Sequence, residues 1–145
     1  MDNIINGLSI VATPIGNLDD ITYRAVKVLE ECDIIICENP KHSLKLLNKL
    51  GIKKKLIALH DYNEHKIIDQ IKVLLKNKNC VLISDAGSPL ISDPGYNLVQ
   101  YCIKNNIEVT SVPGPSSIVS SLQLSGLPIS EFTFLGFIPK SKKKI

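Results

Sequence analysis

The run Asp33-Ile34-Ile35-Ile36-Cys37 is apolar at every position after the first and shows no alternation. A strand with one wet face alternates apolar and polar residues. An unbroken β-branched run is instead a strand covered on both faces, as in a parallel sheet flanked by helices. Further strand-length runs occur at 8–12, 56–59, 80–84 and 107–111, of which 107–111 alternates. Between and after them, apolar residues recur at helical spacing. These are Ala25, Val28 and Leu29; Leu44, Leu47 and Leu50; Ile67, Ile68, Ile71, Leu74 and Leu75; Leu98, Val99, Cys102 and Ile103; and Ile118, Val119 and Leu122. Strand, loop and helix thus repeat five times. The expectation is an α/β fold, a mostly parallel five-stranded sheet with helices on both faces. Asp19 or Asp20 is expected to cap the first helix and Gly51 to stop the second. Residues 132–138 alternate enough to be read as an edge strand.

In open parallel sheets, ligands bind beyond the carboxyl ends of the strands. The loops expected there, 13–18, 38–43, 60–65, 84–95 and 113–117, hold the unusual residues of this chain. The richest is Ser84-Asp85-Ala86-Gly87-Ser88-Pro89-Leu90-Ile91-Ser92-Asp93-Pro94-Gly95. Glycine permits positive φ and close backbone approach, and proline fixes φ. One Asp-x-Gly unit reads as an ordinary turn. Two Asp-containing units in one strand-end loop point to a site. Ser116 reads either as a helix cap or as a site residue. His42, His60 and His65, taken singly, read as surface or capping residues.

The chain has 145 residues, 44% of them apolar, enough for one domain with a real core. Its formal charge of +3 is mild. Lys53, Lys54 and Lys55 read as a solvated face, and Lys140 with Lys142, Lys143 and Lys144 as a linker or basic arm. Cys32, Cys37, Cys80 and Cys102 have no C-x-x-C spacing, so buried, reduced thiols are expected, with no metal site. Neither a signal-peptide pattern nor an apolar run of membrane-spanning length occurs, so a soluble, cytoplasmic protein is expected. The first loop, Thr13-Pro14-Ile15-Gly16-Asn17-Leu18, is not G-x-G-x-x-G, and G-x-x-x-x-G-K-[ST] is absent. Hydride-transfer and phosphoryl-transfer enzymes thus lack their fingerprints here.

Four motifs in order carry a resemblance: Thr13-Pro14-Ile15-Gly16-Asn17-Leu18-x-Asp20-Ile21-Thr22; Ser84-Asp85-Ala86-Gly87-x-Pro89-x-Ile91-Ser92-Asp93-Pro94-Gly95; Pro113-Gly114-Pro115-Ser116; and Ser125-Gly126-Leu127-Pro128. Together they resemble the ribosomal RNA small subunit methyltransferase I family, within the tetrapyrrole methylase superfamily, over essentially the whole chain. The resemblance implies S-adenosylmethionine as methyl donor, no metal, and methylation of a cytidine ribose 2′-oxygen in small-subunit ribosomal RNA. It implies the 30S subunit or its RNA as partner, a homodimer, and no membrane. The implied cofactor residues are Pro14, Gly16, Asn17, Asp85, Ala86, Gly87, Ser88, Ser116 and Ser117. Asp85, Asp93 and Glu64 are the carboxylates available to a reaction that can also run largely on alignment. His60, Asn63 and Glu64 match the family pattern, with a role near RNA. The alternatives are a small-molecule methylase of the superfamily and an inactive dimerisation or RNA-contact module. Small-molecule members typically carry G-x-G-P-G in the first loop, which this chain lacks.

Two departures stand out. The family has a second α/β domain with the cofactor crevice between the two. Here 1–138 is expected to be the amino-terminal domain and 139–145 an inter-domain linker or tail, with the second domain absent. Glu38-Asn39-Pro40-Lys41-His42 also stands where the family usually reads Glu-Asp-Thr-Arg-His. Lysine cannot reproduce the bidentate contact of arginine.

Overall fold

In the computed structural model, residues 7–60 and 62–138 are described. Asp61 and the 139–145 tail lie outside them. Five strands form one parallel sheet: β1 (Gly7–Val11), β2 (Ile34–Cys37), β3 (Lys55–Ala58), β4 (Cys80–Ile83) and β5 (Glu108–Val112), in the order β3-β2-β4-β1-β5. The helices are α1 (Tyr23–Glu31), α2 (Pro40–Lys49), α3 (Glu64–Leu74), α4 (Tyr96–Lys104) and α5 (Ser117–Leu124), with a 3-10 turn at Leu18–Asp20.

Every residue of β2 and β4 is buried, as unbroken apolar runs require. Side chains alternate between two cores. Val11, Ile35, Cys37, Val81, Ile83 and Val112 meet Ala25, Val28 and Leu29 of α1 and Leu47 of α2. Leu8, Ile34, Ile36, Ile57, Cys80 and Leu82 meet Ile71 of α3 and Leu98 and Cys102 of α4. Topology explains the partition. The chain moves one way across the sheet from β1 to β2 to β3, then back through β4 to β5. With right-handed crossovers, opposite directions place helices on opposite faces. β4 therefore sits between two strands, β2 and β1, whose outgoing helices lie on the face opposite to its own. That is the switch-point arrangement that opens a crevice at the carboxyl ends.

Several local expectations are corrected. Thr22, not Asp19 or Asp20, caps α1, accepting from the Ala25 N–H at 3.1 Å. Asn17 caps the 3-10 turn through the Asp19 N–H. The 38–43 loop is shorter than read, because α2 starts at Pro40. Asn39 accepts from the Lys41 and His42 N–H groups, and proline occupies the first helical position, where an N–H has no helical partner. The buried face of α2 carries Ser43, Leu46 and Leu47, while Leu44 is exposed. Residues 132–138 form no strand. β5 is the sheet edge, and Phe132, Phe134, Leu135, Phe137 and Ile138 are exposed beyond it. α5 buries none of its residues.

Ile35→Ala is expected to cost about 2–5 kcal/mol, because it empties a fully buried site in the core beneath α1 and α2. Val119→Ala on the uncovered α5 should change stability by no more than about 0.5 kcal/mol. Urea unfolding midpoints of the two variants measure the contrast.

Candidate functional site

The carboxyl ends of β1 and β4 are tied together by their loops. The Thr13 N–H donates to the Gly87 carbonyl and the Gly87 N–H donates to the Thr13 carbonyl, each at 2.9 Å. The Thr13 hydroxyl donates to the Ser84 carbonyl at 3.2 Å in a buried position. Gly87 has φ +77°, and a Cβ there would lie 3.3 Å from Ile15 Cγ2. The Ser84 hydroxyl donates to the Ala86 carbonyl at 3.2 Å. These bonds hold Asp85 at the head of a rigid turn.

The rest of the 84–95 loop is strained. Leu90 has φ +74° and Ser92 φ +67°, left-handed values that cost of order 1–3 kcal/mol for residues with a Cβ. Gly95, at φ +115°, ends the loop and starts α4. A Cβ on Gly95 would meet Leu82 at 3.0 Å and Leu90 at 3.1 Å. The backbone therefore favours glycine, and a side chain would also press on the tips of the two leucines.

Two concavities flank this loop. The first, about 340 Å³, is lined by the β1 loop (Thr13, Pro14, Ile15, Gly16), the start of α2 (His42, Ser43, Lys45) and the β4 end (Ser84, Asp85, Ala86). The second, about 170 Å³, lies between Ala86, Gly87 and Ser88, the α5 start at Ser116 and Ser117, and Phe134 and Phe137. Of the residues expected at a cofactor, Pro14, Gly16, Asp85 and Ala86 thus face the first concavity. Ala86, Gly87, Ser88, Ser116 and Ser117 face the second. Asn17 faces neither, because its side chain caps the adjacent turn. Ser116 makes no side-chain capping bond, so the cap reading does not account for its hydroxyl.

The carboxylates differ in setting. Asp85 Oδ1 is buried and has no hydrogen-bond partner among the described residues. Burial pushes the Asp93 carboxyl above the usual range. A Ser84 hydrogen bond pulls it back and the nearby Asp85 charge pushes it further up. Glu64 stands apart at the start of α3, where Asn97 of α4 donates to its Oε2 at 3.0 Å. Asn63 bonds its own loop at both ends: its Oδ1 accepts from the His60 N–H and its Nδ2 donates to the Ala58 carbonyl. Its amide therefore shapes the β3 exit.

All four cysteines are free and buried. Burial pushes Cys32 up to about 11, Cys80 to about 12, Cys102 to about 11, and Cys37 upward as well. They stay protonated near neutrality and make poor nucleophiles. Among the described residues no group of three or more His, Cys, Asp or Glu is placed to hold a metal ion. No helix among them is long and apolar enough to cross a membrane. Lys45 was not anticipated at the site. Its position one helical turn after Lys41 was the available signal, hidden because α2 was expected to begin later.

A parallel α/β sheet with a crevice of Pro/Gly-rich loops beyond its carboxyl ends defines a ligand-binding class. Within that class the chain belongs to the Tetrapyrrole (Corrin/Porphyrin) Methylases, whose family model matches residues 7–144. It is 51% identical over 138 residues to a Thermotoga maritima protein named ribosomal RNA small subunit methyltransferase I, covering 94% of this chain and 62% of that one. Proteins of the same name from Rickettsia prowazekii and Escherichia coli O157:H7 are 51% and 45% identical, over 97% and 98% of this chain and 51% and 50% of theirs. The chain thus spans about half the length of most of the curated relatives it matches. A solved uroporphyrin-III-C-methyltransferase from Thermus thermophilus matches with a TM-score of 0.57 at 21% identity, over 88% of this chain and 55% of that one, which establishes a shared fold.

Gly95→Ala should destabilise the chain by about 3 kcal/mol, combining a strained φ with a clash into Leu82 and Leu90, as read from urea midpoints. The raised Asp93 carboxyl means that the folded chain holds this proton to higher pH than the unfolded one. Its contribution favours folding in acid and is lost as pH rises through the carboxylate range. Asp93→Asn should therefore be more stable than the parent at pH 7, with the gap closing toward pH 4. A gap that stays constant with pH would rule out burial as the cause.

Proposed function

We propose that this chain supplies the amino-terminal half of a cytoplasmic enzyme. That enzyme transfers a methyl group from S-adenosylmethionine to a cytidine ribose 2′-oxygen in small-subunit ribosomal RNA. The observation that carries the reading is the likeness to relatives bearing that methyltransferase name, extending over almost the whole chain. The strand-end crevice supports it independently of any name.

The residues present fit the cofactor. Asp85 Oδ1 is a buried acceptor without a partner among the described residues, suited to an ammonium or a ribose hydroxyl. Gly87 leaves the space that a side chain would take beside Ile15. Pro14, Gly16, Asp85 and Ala86 on one side, and Gly87, Ser88, Ser116 and Ser117 on the other, would hold it, while Asn17 keeps the first loop in shape. When bound, S-adenosylmethionine supplies a methyl group activated by the positive sulfur. The chain's own part is to align and to manage one proton. Among the candidate carboxylates Asp93 is the one that burial raises, but it lines neither concavity, so alignment is the part that the geometry supports. Glu64 is less suited, with Oε2 held by Asn97.

The uncovered apolar face of α5 and 127–138 supports the half-protein reading. Leu124, Leu127, Leu135, Phe137 and Ile138 are each at least 70% exposed. A face this large on a soluble chain marks an interface. A second domain, or the partner in a homodimer, would cover it and close the second concavity, which Phe134 and Phe137 already line.

Calorimetric titration of S-adenosylmethionine tests the proposal, with Asp85→Asn expected to weaken binding about 10-fold or more. Unchanged affinity in the variant would remove the role given to the 84–95 loop. Absence of binding both by the chain and by a two-domain version would overturn the cofactor reading.

A further inference from the structure

The segment 39–60 contains six lysines (Lys41, Lys45, Lys49, Lys53, Lys54 and Lys55) and no aspartate or glutamate. The chain as a whole carries only +3, so positive charge is concentrated in one α2–β3 unit. The fold divides this charge in two. Lys53, Lys54 and Lys55 lead into β3, an edge strand, where lysine discourages pairing with another sheet. Lys41 and Lys45 have a different setting. They stand one helical turn apart at the start of α2, at the carboxyl end of the sheet. Both are exposed, and neither makes an ion pair or hydrogen bond with a described residue. Lys45 and its neighbour His42 line the 340 Å³ concavity. Lys49, the next residue in the stripe, is instead neutralised by Asp19.

Lys45 stands at the rim of the first concavity, whose lining also includes Asp85, and Lys41 lies one turn before it; both ammonium groups are open to solvent and available to a polyanion. The spacing of about 6 Å between such side chains suits successive phosphates of an extended strand. The first concavity opens beside Lys45. We infer that the α2 edge bearing Lys41 and Lys45 is the docking track for a single-stranded RNA, holding successive phosphates beside the first concavity. This rests on the RNA substrate of the proposed function. It also gives a role to the stretch that departs from the family pattern. Asn39 and Pro40 keep the helix start intact, and Lys41 keeps the charge as a point contact to phosphate.

The test measures binding of a fluorescently labelled, mixed-sequence single-stranded RNA by anisotropy across a salt series. The double variant Lys41→Gln/Lys45→Gln is compared with Lys76→Gln/Lys104→Gln, which removes the same charge from exposed positions elsewhere. Unchanged urea midpoints confirm that both fold. Loss of two phosphate contacts should weaken binding about 25-fold at 0.1 M salt and flatten the log–log salt slope by about 1.4, with the control pair showing little of either. Equal weakening by both pairs, or no RNA binding by the parent chain, overturns the inference. S-adenosylmethionine titration of the parent is read separately. Its failure would strike the methyl-transfer reading and leave the salt slopes to judge the track.

Discussion

Two reciprocal hydrogen bonds between Thr13 and Gly87 set the geometry on which the site depends. β1 and β4 are neighbours in the sheet, but their outgoing chains leave for opposite faces. Left alone, the two loops would splay and their amides would face water. The Thr13–Gly87 pair bridges them beyond the end of the ladder, as an isolated antiparallel bridge. It requires a residue with positive φ at position 87 and little bulk beside Ile15. Glycine meets both conditions. With the two loops joined, the space around them separates into a concavity toward α2 and another toward α5. The strained backbone at Leu90 and Ser92 follows from the same constraint. The chain must turn back from this bridge and reach Gly95 in time to start α4.

The fold was legible because burial on both faces leaves a plain mark. Ile34, Ile35 and Ile36 are apolar without alternation, and each packs into one of the two cores. What the pattern could not supply was strand order, since nothing in an apolar run says that β4 inserts between β2 and β1. Helix starts were misread where a side-chain cap outweighed acidic composition. Thr22 bonds the Ala25 amide, while Asp19 pairs with Lys49 instead. The edge strand expected at 132–138 failed because alternation records only that one side of a segment is apolar. It does not say what that side meets. Here the apolar side meets no neighbouring strand: Phe134 and Phe137 line the second concavity, and Leu135 and Ile138 are left exposed.

The site was legible in part for a related reason. Turn residues announce where backbone is unusual, so Gly87, Gly95 and the prolines drew attention to the 84–95 loop. They do not say which side of the loop faces a cavity. Only the structure separates Pro14 and Asp85 on one side from Ser116 and Ser117 on the other. Lys45 shows the opposite failure. A lysine on a helix is ordinary in composition and carries no turn signal. Its significance comes from α2 beginning at Pro40, which brings the second helical turn to the rim of the first concavity.

The distribution of polarity over the sheet connects these points. Both faces of the sheet are closed by helices, and both edges carry charge or polar groups: lysines at β3, and Glu108, Thr110 and Ser111 at β5. That leaves the carboxyl end and the α5 side as surfaces not sealed by the chain itself. The carboxyl end holds a buried carboxylate oxygen without a partner among the described residues, and the exposed Lys45 at the rim of the first concavity. The α5 side exposes Val119, Leu124, Leu127, Leu135, Phe137 and Ile138. A buried acceptor without a partner and uncovered apolar surface are both costly in isolation, and they call for different occupants. A small polar ligand answers the first, and a packed protein surface answers the second. Ser116 and Ser117 stand where the two surfaces meet, so whatever protein surface covers α5 also sets how far the second concavity is closed to water.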